Sequence, residues 1–250
     1  MLPLRLSLPM RDRSLIFPLL LCLAGALLLF SAIAQAGVVI GGTRFVYAGG
    51  QKSISVSVRN KSQAPFLVNA RVATGGEWQG VAQADGGAAP FVVTPPLLVI
   101  QPQRENIIRL IYTGGPLPAD RESLFTLSIA AIPASKAQAN SVQLAVRSAL
   151  KLIYRPTGLK GDAASAYSNL RWRRDGAALR VSNPGPYYVT LFQLSIAGKS
   201  LDNAGVVAPF GERRFSGCPS SQPCRIRWQS INDYGRVMPP AAALLQPSGR

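Results

Sequence analysis

From Gly37 onward the chain is cut into short apolar or alternating runs, each closed by turn residues, with no amphipathic helix among them. Ser53-Ile54-Ser55-Val56-Ser57-Val58 alternates strictly, the pattern of a strand with one buried face. Val38 to Tyr47 is apolar and β-branched and is broken by Gly41-Gly42, which predicts a bulge or bend. Phe66 to Ala73 is the next strand, and residues 79–90 read as a loop. Phe91 to Ile100 surrounds Pro95-Pro96, so it is expected as an edge strand or two short pieces. Glu105 to Tyr112, Ser123 to Ile132 and Ser141 to Tyr154 follow. Roughly seven strands in about 120 residues predict an antiparallel sandwich of immunoglobulin type.

Arg155-Pro156-Thr157-Gly158 stops the longest run and is the expected domain boundary. The remainder is again β: Asn169 to Arg174, a turn at Asp175-Gly176, then Ala177 to Ser182. After the stiff Asn183-Pro184-Gly185-Pro186 come Tyr187 to Ile196, Arg213 to Phe215, Cys224 to Ser230 and Ala241 to Leu245. The expected organisation is therefore all-β, with domains at 37–156 and 157–250.

Residues 1–36 do not fit that pattern. Arg5, Arg11 and Arg13 precede an apolar run from Leu15 to Phe30, and Ser31 to Ala36 ends in Ala-x-Ala. This is the layout of a secretory signal peptide, with export and cleavage after Ala36 expected. The run is short for a membrane span, and Pro18 interrupts it, so no stable insertion is expected afterwards. Removing 36 of 250 residues leaves 214, enough for two domains of about 100 residues each.

The net charge is +16, about +14 once three arginines and Asp12 leave with the signal. A balance this basic suggests anionic partners, but export argues against nucleic acid. Arg171, Arg173 and Arg174 form the densest basic cluster and read as a solvated strand face. The chain has no histidine, which excludes Ser-His-Asp and Cys-His catalysis. No carboxylate pair or Ser-Lys set stands at catalytic spacing, so no enzyme is expected. Cys218 and Cys224, five residues between them, are expected to form a disulfide in an oxidising compartment. With so few soft ligands, neither a metal site nor a cofactor is expected.

Residues 141–154 form an unusually long strand pattern, where five or six residues are usual. Val142, Leu144, Val146, Leu150, Leu152 and Tyr154 share one parity. Either this is an ordinary core strand, or its first part lies at a sheet edge and lends Val142, Leu144 and Val146 to another protein. An exposed apolar edge is an aggregation hazard, so retaining one implies a partner.

Gly42-Thr43-Arg44-Phe45-Val46-Tyr47 is similar to the opening motif of periplasmic pilus chaperones of the chaperone–usher pathway, and Leu117 to Phe125, continuing to Ile132-Pro133, is similar to a second of their motifs. Lys151-Leu152-Ile153-Tyr154-Arg155-Pro156 resembles the end of their long donor strand. Asn183 to Val189 and Ile231-Asn232-Asp233-Tyr234-Gly235 resemble second-domain motifs. The blocks occur in the family's order and span nearly the whole mature chain.

The resemblance implies two immunoglobulin-like β-sandwich domains in an L or boomerang arrangement. It implies that Arg44 and Lys151 anchor the C-terminal carboxylate of a pilus (fimbrial) subunit, that Val142, Leu144 and Val146 complete the subunit's fold, and that Glu122, Arg155 and Asp233 link the domains. The implied partners are subunits and an outer-membrane usher, and a free chaperone could cap itself as a dimer. Some residues depart from the pattern. Ser128 stands where the family prefers Asn, and the Cys218/Cys224 position carries no family role. Lys151 has opposite parity to Val142, Leu144 and Val146, which a twist or bulge would reconcile. The short Pro133 to Asn140 connection resembles the subgroup serving rod-like pili. The competing reading is an exported immunoglobulin-like surface or carbohydrate-binding protein, which would show aromatics at loop tips; Trp78 is instead expected to pack at a strand end.

Overall fold

The computed structural model describes residues 37–81, 88–134, 143–176, 178–219 and 221–247. The expected signal segment, its cleavage point at Ala36 and Val142 lie outside the described residues. Among the described residues the first half contributes β1 (Val38–Ile40), β2 (Arg44–Ala48), β3 (Ile54–Asn60), β4 (Phe66–Thr74), β5 (Phe91–Thr94), β6 (Leu97–Ile100), β7 (Glu105–Tyr112), β8 (Ser123–Pro133) and β9 (Val146–Arg155). They form one sheet in the order β1-β3-β7-β5 and a second in the order β2-β9-β8-β4-β6.

Two breaks in the sequence pattern let one run of chain serve both sheets. β1 pairs with β3, whereas β2 crosses over to pair with β9. The crossing passes Gly41, where a Cβ would lie 2.2 Å from the Ser57 hydroxyl, so any larger residue would force that side chain to turn away. Likewise Pro95-Pro96 divides the expected apolar run: β5 pairs with β7 and β6 with β4. Proline has no N–H to continue a ladder, so the strand changes sheets there. Alternation then fills the space between the sheets. Val56 and Val58 of β3 and Ile108 and Leu110 of β7 meet Val68, Leu127, Ile129 and Leu152, all essentially inaccessible to solvent.

The second half contributes β10 (Arg171–Asp175), β11 (Ala178–Ser182), β12 (Val189–Thr190), β13 (Phe192–Ile196), β14 (Lys199–Leu201), β15 (Val206–Val207), β16 (Glu212–Phe215), β17 (Cys224–Gln229) and β18 (Ala241–Leu245), with a 3-10 helix at Ala166–Asn169. Its sheets run β10-β11-β16, β12-β15 and β14-β13-β17-β18. A separate core gathers Trp172, Leu179, Val181, Leu194, Ile226 and Trp228. The Cys218–Cys224 disulfide is present, with Cys224 fully buried. The molecule is thus nearly all-β, with two immunoglobulin-like sandwiches.

Three local expectations need correction. Ser141 and Val142 lie outside the described residues, and the described strand begins at Val146, opposite Ala131. Extending the ladder two places would bring Leu144 opposite Pro133, which has no N–H to donate. The expected strand Tyr187 to Ile196 is two strands, because β12 joins β15 and β13 joins β14 and β17. The change of sheet falls at Leu191, between the two, and within β13 the pairing with β17 then shifts register between Phe192 and Ser195, where Gln193 has φ 48°. Arg174 is not merely solvated: it donates to the carbonyls of Gln246 (2.6 Å), Pro219 (2.8 Å) and Gln222 (2.6 Å), tying the disulfide loop to β10. β14 and β15 had no strand expectation; both are too short to carry a period.

Candidate functional site

The ladder between β8 and β9 is uninterrupted from Ser123↔Tyr154 to Ala131↔Val146. No bulge separates Lys151 from Val146, so their opposite parity is real and the strand uses both faces. Leu150, Leu152 and Tyr154 pack on the first core. Leu144 and Val146 continue that face past the sandwich and stand 73 % and 61 % exposed. Lys151 and Arg155 lie on the other face, with Arg147.

β2 covers only part of β9. It runs parallel to it, matching Arg44–Ala48 with Lys151–Arg155. Along Val146–Leu150 β9 has β8 on one side, and no described strand pairs with the other. The open edge therefore ends where Arg44 and Lys151 sit side by side in register. A strand added along that edge, with its last residue at this pair, must run parallel to β9 and in line with β2.

Both cations are partly buried, and among the described residues neither has a carboxylate in salt-bridge contact. Arg44 donates through Nη1 to the Ile231 carbonyl (2.5 Å) and through Nη2 to Thr190 Oγ1 (3.3 Å), while its buried Nε has no partner. Burial lowers its proton affinity, partly countered by the more distant Asp233 and Glu122. Burial and then the Arg44 charge push Lys151 down from 10.5 to about 8. The Lys151 ammonium lies 4.3 Å from the Trp78 ring centroid. Trp78 therefore does not simply end a strand. It comes from the loop after β4 and stacks over the expected site. A carboxylate is the kind of group that can accept from a guanidinium and a neighbouring ammonium together.

The third expected group also comes together. Arg155 Nε donates to Glu122 Oε1 (2.6 Å), and its Nη atoms donate to both Asp233 oxygens (2.8 and 3.1 Å). Glu122 Oε2 accepts from the Tyr188 amide at 2.7 Å, and the Glu122 amide donates to the Pro186 carbonyl at 2.9 Å. The Glu122 side chain is 1 % exposed, and burial raises its pKa more than Arg155 and the Tyr188 amide lower it. Burial works against the Arg155 charge, but the hydrogen bonds to Asp233 and the Glu122 charge hold its pKa above the ordinary value. Sequence reading missed Thr190, the Ile231 carbonyl and the Tyr188 amide. Two of these are backbone groups, for which no residue type signals.

Comparison with known proteins matches the two halves to two family models. Residues 37–160 match the N-terminal domain of PapD, a pili and flagellar-assembly chaperone, and residues 165–242 match the PapD C-terminal domain. Among curated relatives, the uncharacterized fimbrial chaperone YcbF of Escherichia coli is 43% identical over 84% of this chain and 92% of its own length. The chaperone protein FimC of Escherichia coli is 37% identical over 90% of this chain and 93% of its own. Among solved structures, the Escherichia coli chaperone DraB aligns with TM-score 0.71 and 33% identity, covering 84% of this chain and 98% of that one. A chain of the Salmonella enterica SafA pilin–SafB chaperone complex aligns with TM-score 0.73 and 31% identity, covering 86% and 99%.

Proposed function

The chain belongs to the PapD-type pilus-assembly chaperone family, and from that premise we propose that it caps pilus subunits in the periplasm by donating β9 to their fold. Residues 1–36 direct export and are removed near Ala36. Residues 37–156 form the donor domain and 157–250 its partner. The reading rests on one observation: among the described residues, the open edge of β9 ends at two partly buried cations with no carboxylate in salt-bridge contact. A subunit's last strand would hydrogen-bond along Val146–Leu150, with its terminal carboxylate held by Arg44 and Lys151. Fixing the terminus sets the register, since a slip of one residue would turn every side chain to the wrong face. Leu144 and Val146, with Val142 before them, would then fill the subunit's open groove. Main-chain bonds supply affinity and alternate side chains supply selection, the logic of strand addition, of which pilin–chaperone complementation is a known instance.

No covalent step is required, and the chaperone acts by occupying surface that would otherwise polymerise. It would pass its client to an outer-membrane usher. The test is co-purification from the periplasm of its own host. Wild-type protein should emerge bound to a fimbrial subunit, while R44A and K151A emerge folded and alone. Subunit retained at wild-type level by both variants would overturn the proposal.

A further inference from the structure

The described residues just after β4, 75–81, reach over the Arg147/Lys151 face of β9 and are held on both sides of Trp78. Glu77 pairs with Arg147 at 2.5 Å. The Gln79 carbonyl accepts the Val206 amide of β15 at 2.9 Å. That second contact depends on two glycines in the left-handed region. A Cβ on Gly205 (φ +79°) would lie 2.1 Å from the Gln79 oxygen, and one on Gly80 (φ +84°) 2.2 Å from the Val206 oxygen. Arg147 and Lys151 lie four residues apart on one face of β9, so the loop meets one with an acid and the other with an indole.

The difference between those two contacts has a chemical consequence. An acid over Lys151 would hold the ammonium strongly, but a client carboxylate would then have to displace it. An aromatic face attracts the cation through its quadrupole and supplies no anion. The ammonium's donors turned away from the ring stay available. Charged groups nearby do not take that place: Arg44 repels, Asp202 and Arg227 line the same cleft of about 820 Å³ without ion-pair contact to Lys151, and Glu122 and Asp233 are engaged by Arg155.

Resting on the client-capping reading above, we infer that Trp78 is a positioning residue of the carboxylate site, its ring holding the Lys151 ammonium in place without competing for the client's terminus. The probe is a synthetic peptide of alternating valine and threonine ending in a free carboxylate, with its C-terminal amide as control. Binding to the full mature chain is measured across pH, and the Lys151 titration is followed by NMR of lysine-labelled protein, assigned with K151R. Relative to wild type, W78A should weaken the carboxylate peptide about tenfold near neutral pH and leave the amide peptide unchanged, even though uncovering Lys151 moves its titration up. W78F should lie between. W78E should raise the Lys151 titration and yet lose the preference for carboxylate over amide, which a merely structural role for Trp78 does not produce. G205A, which displaces the loop without touching Trp78, should reproduce W78A. Superimposable pH profiles and an unmoved Lys151 titration in W78A and W78F overturn the inference while client capping stands. A wild-type protein that binds acid and amide equally overturns both.

Discussion

An ammonium buried beside a guanidinium gives up its proton more readily, and at about 8 Lys151 titrates within the range of ordinary buffers. The sign of its effect differs between folding and binding. The unfolded chain keeps this proton up to 10.5, so between about 8 and 10.5 the unfolded state holds more protons than the folded one. Stability of the client-free protein therefore rises across that window as the cost of the buried charge is relieved. The proposed carboxylate capture runs the other way, because it needs the ammonium form. Affinity should fall as pH rises through 8, by up to about tenfold per pH unit, in calorimetric titrations with the carboxylate peptide. K151R, whose guanidinium stays charged there, should flatten the decline.

β9 holds residues of one chemistry in two environments, and substitutions along a single face should separate them. Leu152 is fully buried between the sheets, so L152A should cost about 2–5 kcal/mol in urea unfolding. Val146, six residues earlier on that face, is 61 % exposed, so V146D should change stability by no more than about 0.5 kcal/mol. Client retention should respond in the opposite order: V146D loses it while remaining folded, because a carboxylate enters the groove that valine fills. A V146D protein that keeps its subunit would show that the exposed part of β9 is not the donor segment. The edge itself stays open because β2 matches only the last five residues of β9. The same first strand that crosses between sheets at Gly41 thus sets where the opening stops and where the cations stand.

At the scale of the molecule, Arg155 joins Glu122 at the start of β8 to Asp233 after β17. The net contribution of such a network can be small, yet removing one member leaves a buried charge without a partner. R155A should therefore destabilise by about 3–5 kcal/mol, since Glu122 stays buried. The Glu122/Arg155 pair should show coupling of about 0.5–3 kcal/mol in a double-mutant cycle. If the network ties the sandwiches into one cooperative unit, R155A should also split a single calorimetric transition into two. A single transition with unchanged midpoint would show that the other contacts, among them the Trp78 loop, hold the halves together without it.

Much of this architecture follows from local chemistry and is legible residue by residue. Alternation in Ser53–Val58 marks a half-buried strand, Gly41-Gly42 and Pro95-Pro96 mark breaks where the ladder cannot continue, and motif order marks the family. Arg44, Lys151, Glu122, Arg155 and Asp233 are marked by the family motifs in which they stand. Their convergence was a matter of tertiary structure: pairing across 107 residues brings Arg44 beside Lys151, and the ion-pair network spans more than that. So was the distinction between Leu144 or Val146 and Leu152, which share a pattern but differ in whether a facing sheet covers them. Trp78 carries no motif at all. Its role depends on a loop whose position is set by backbone contacts with the second sandwich, and backbone amides and carbonyls read the same in every sequence.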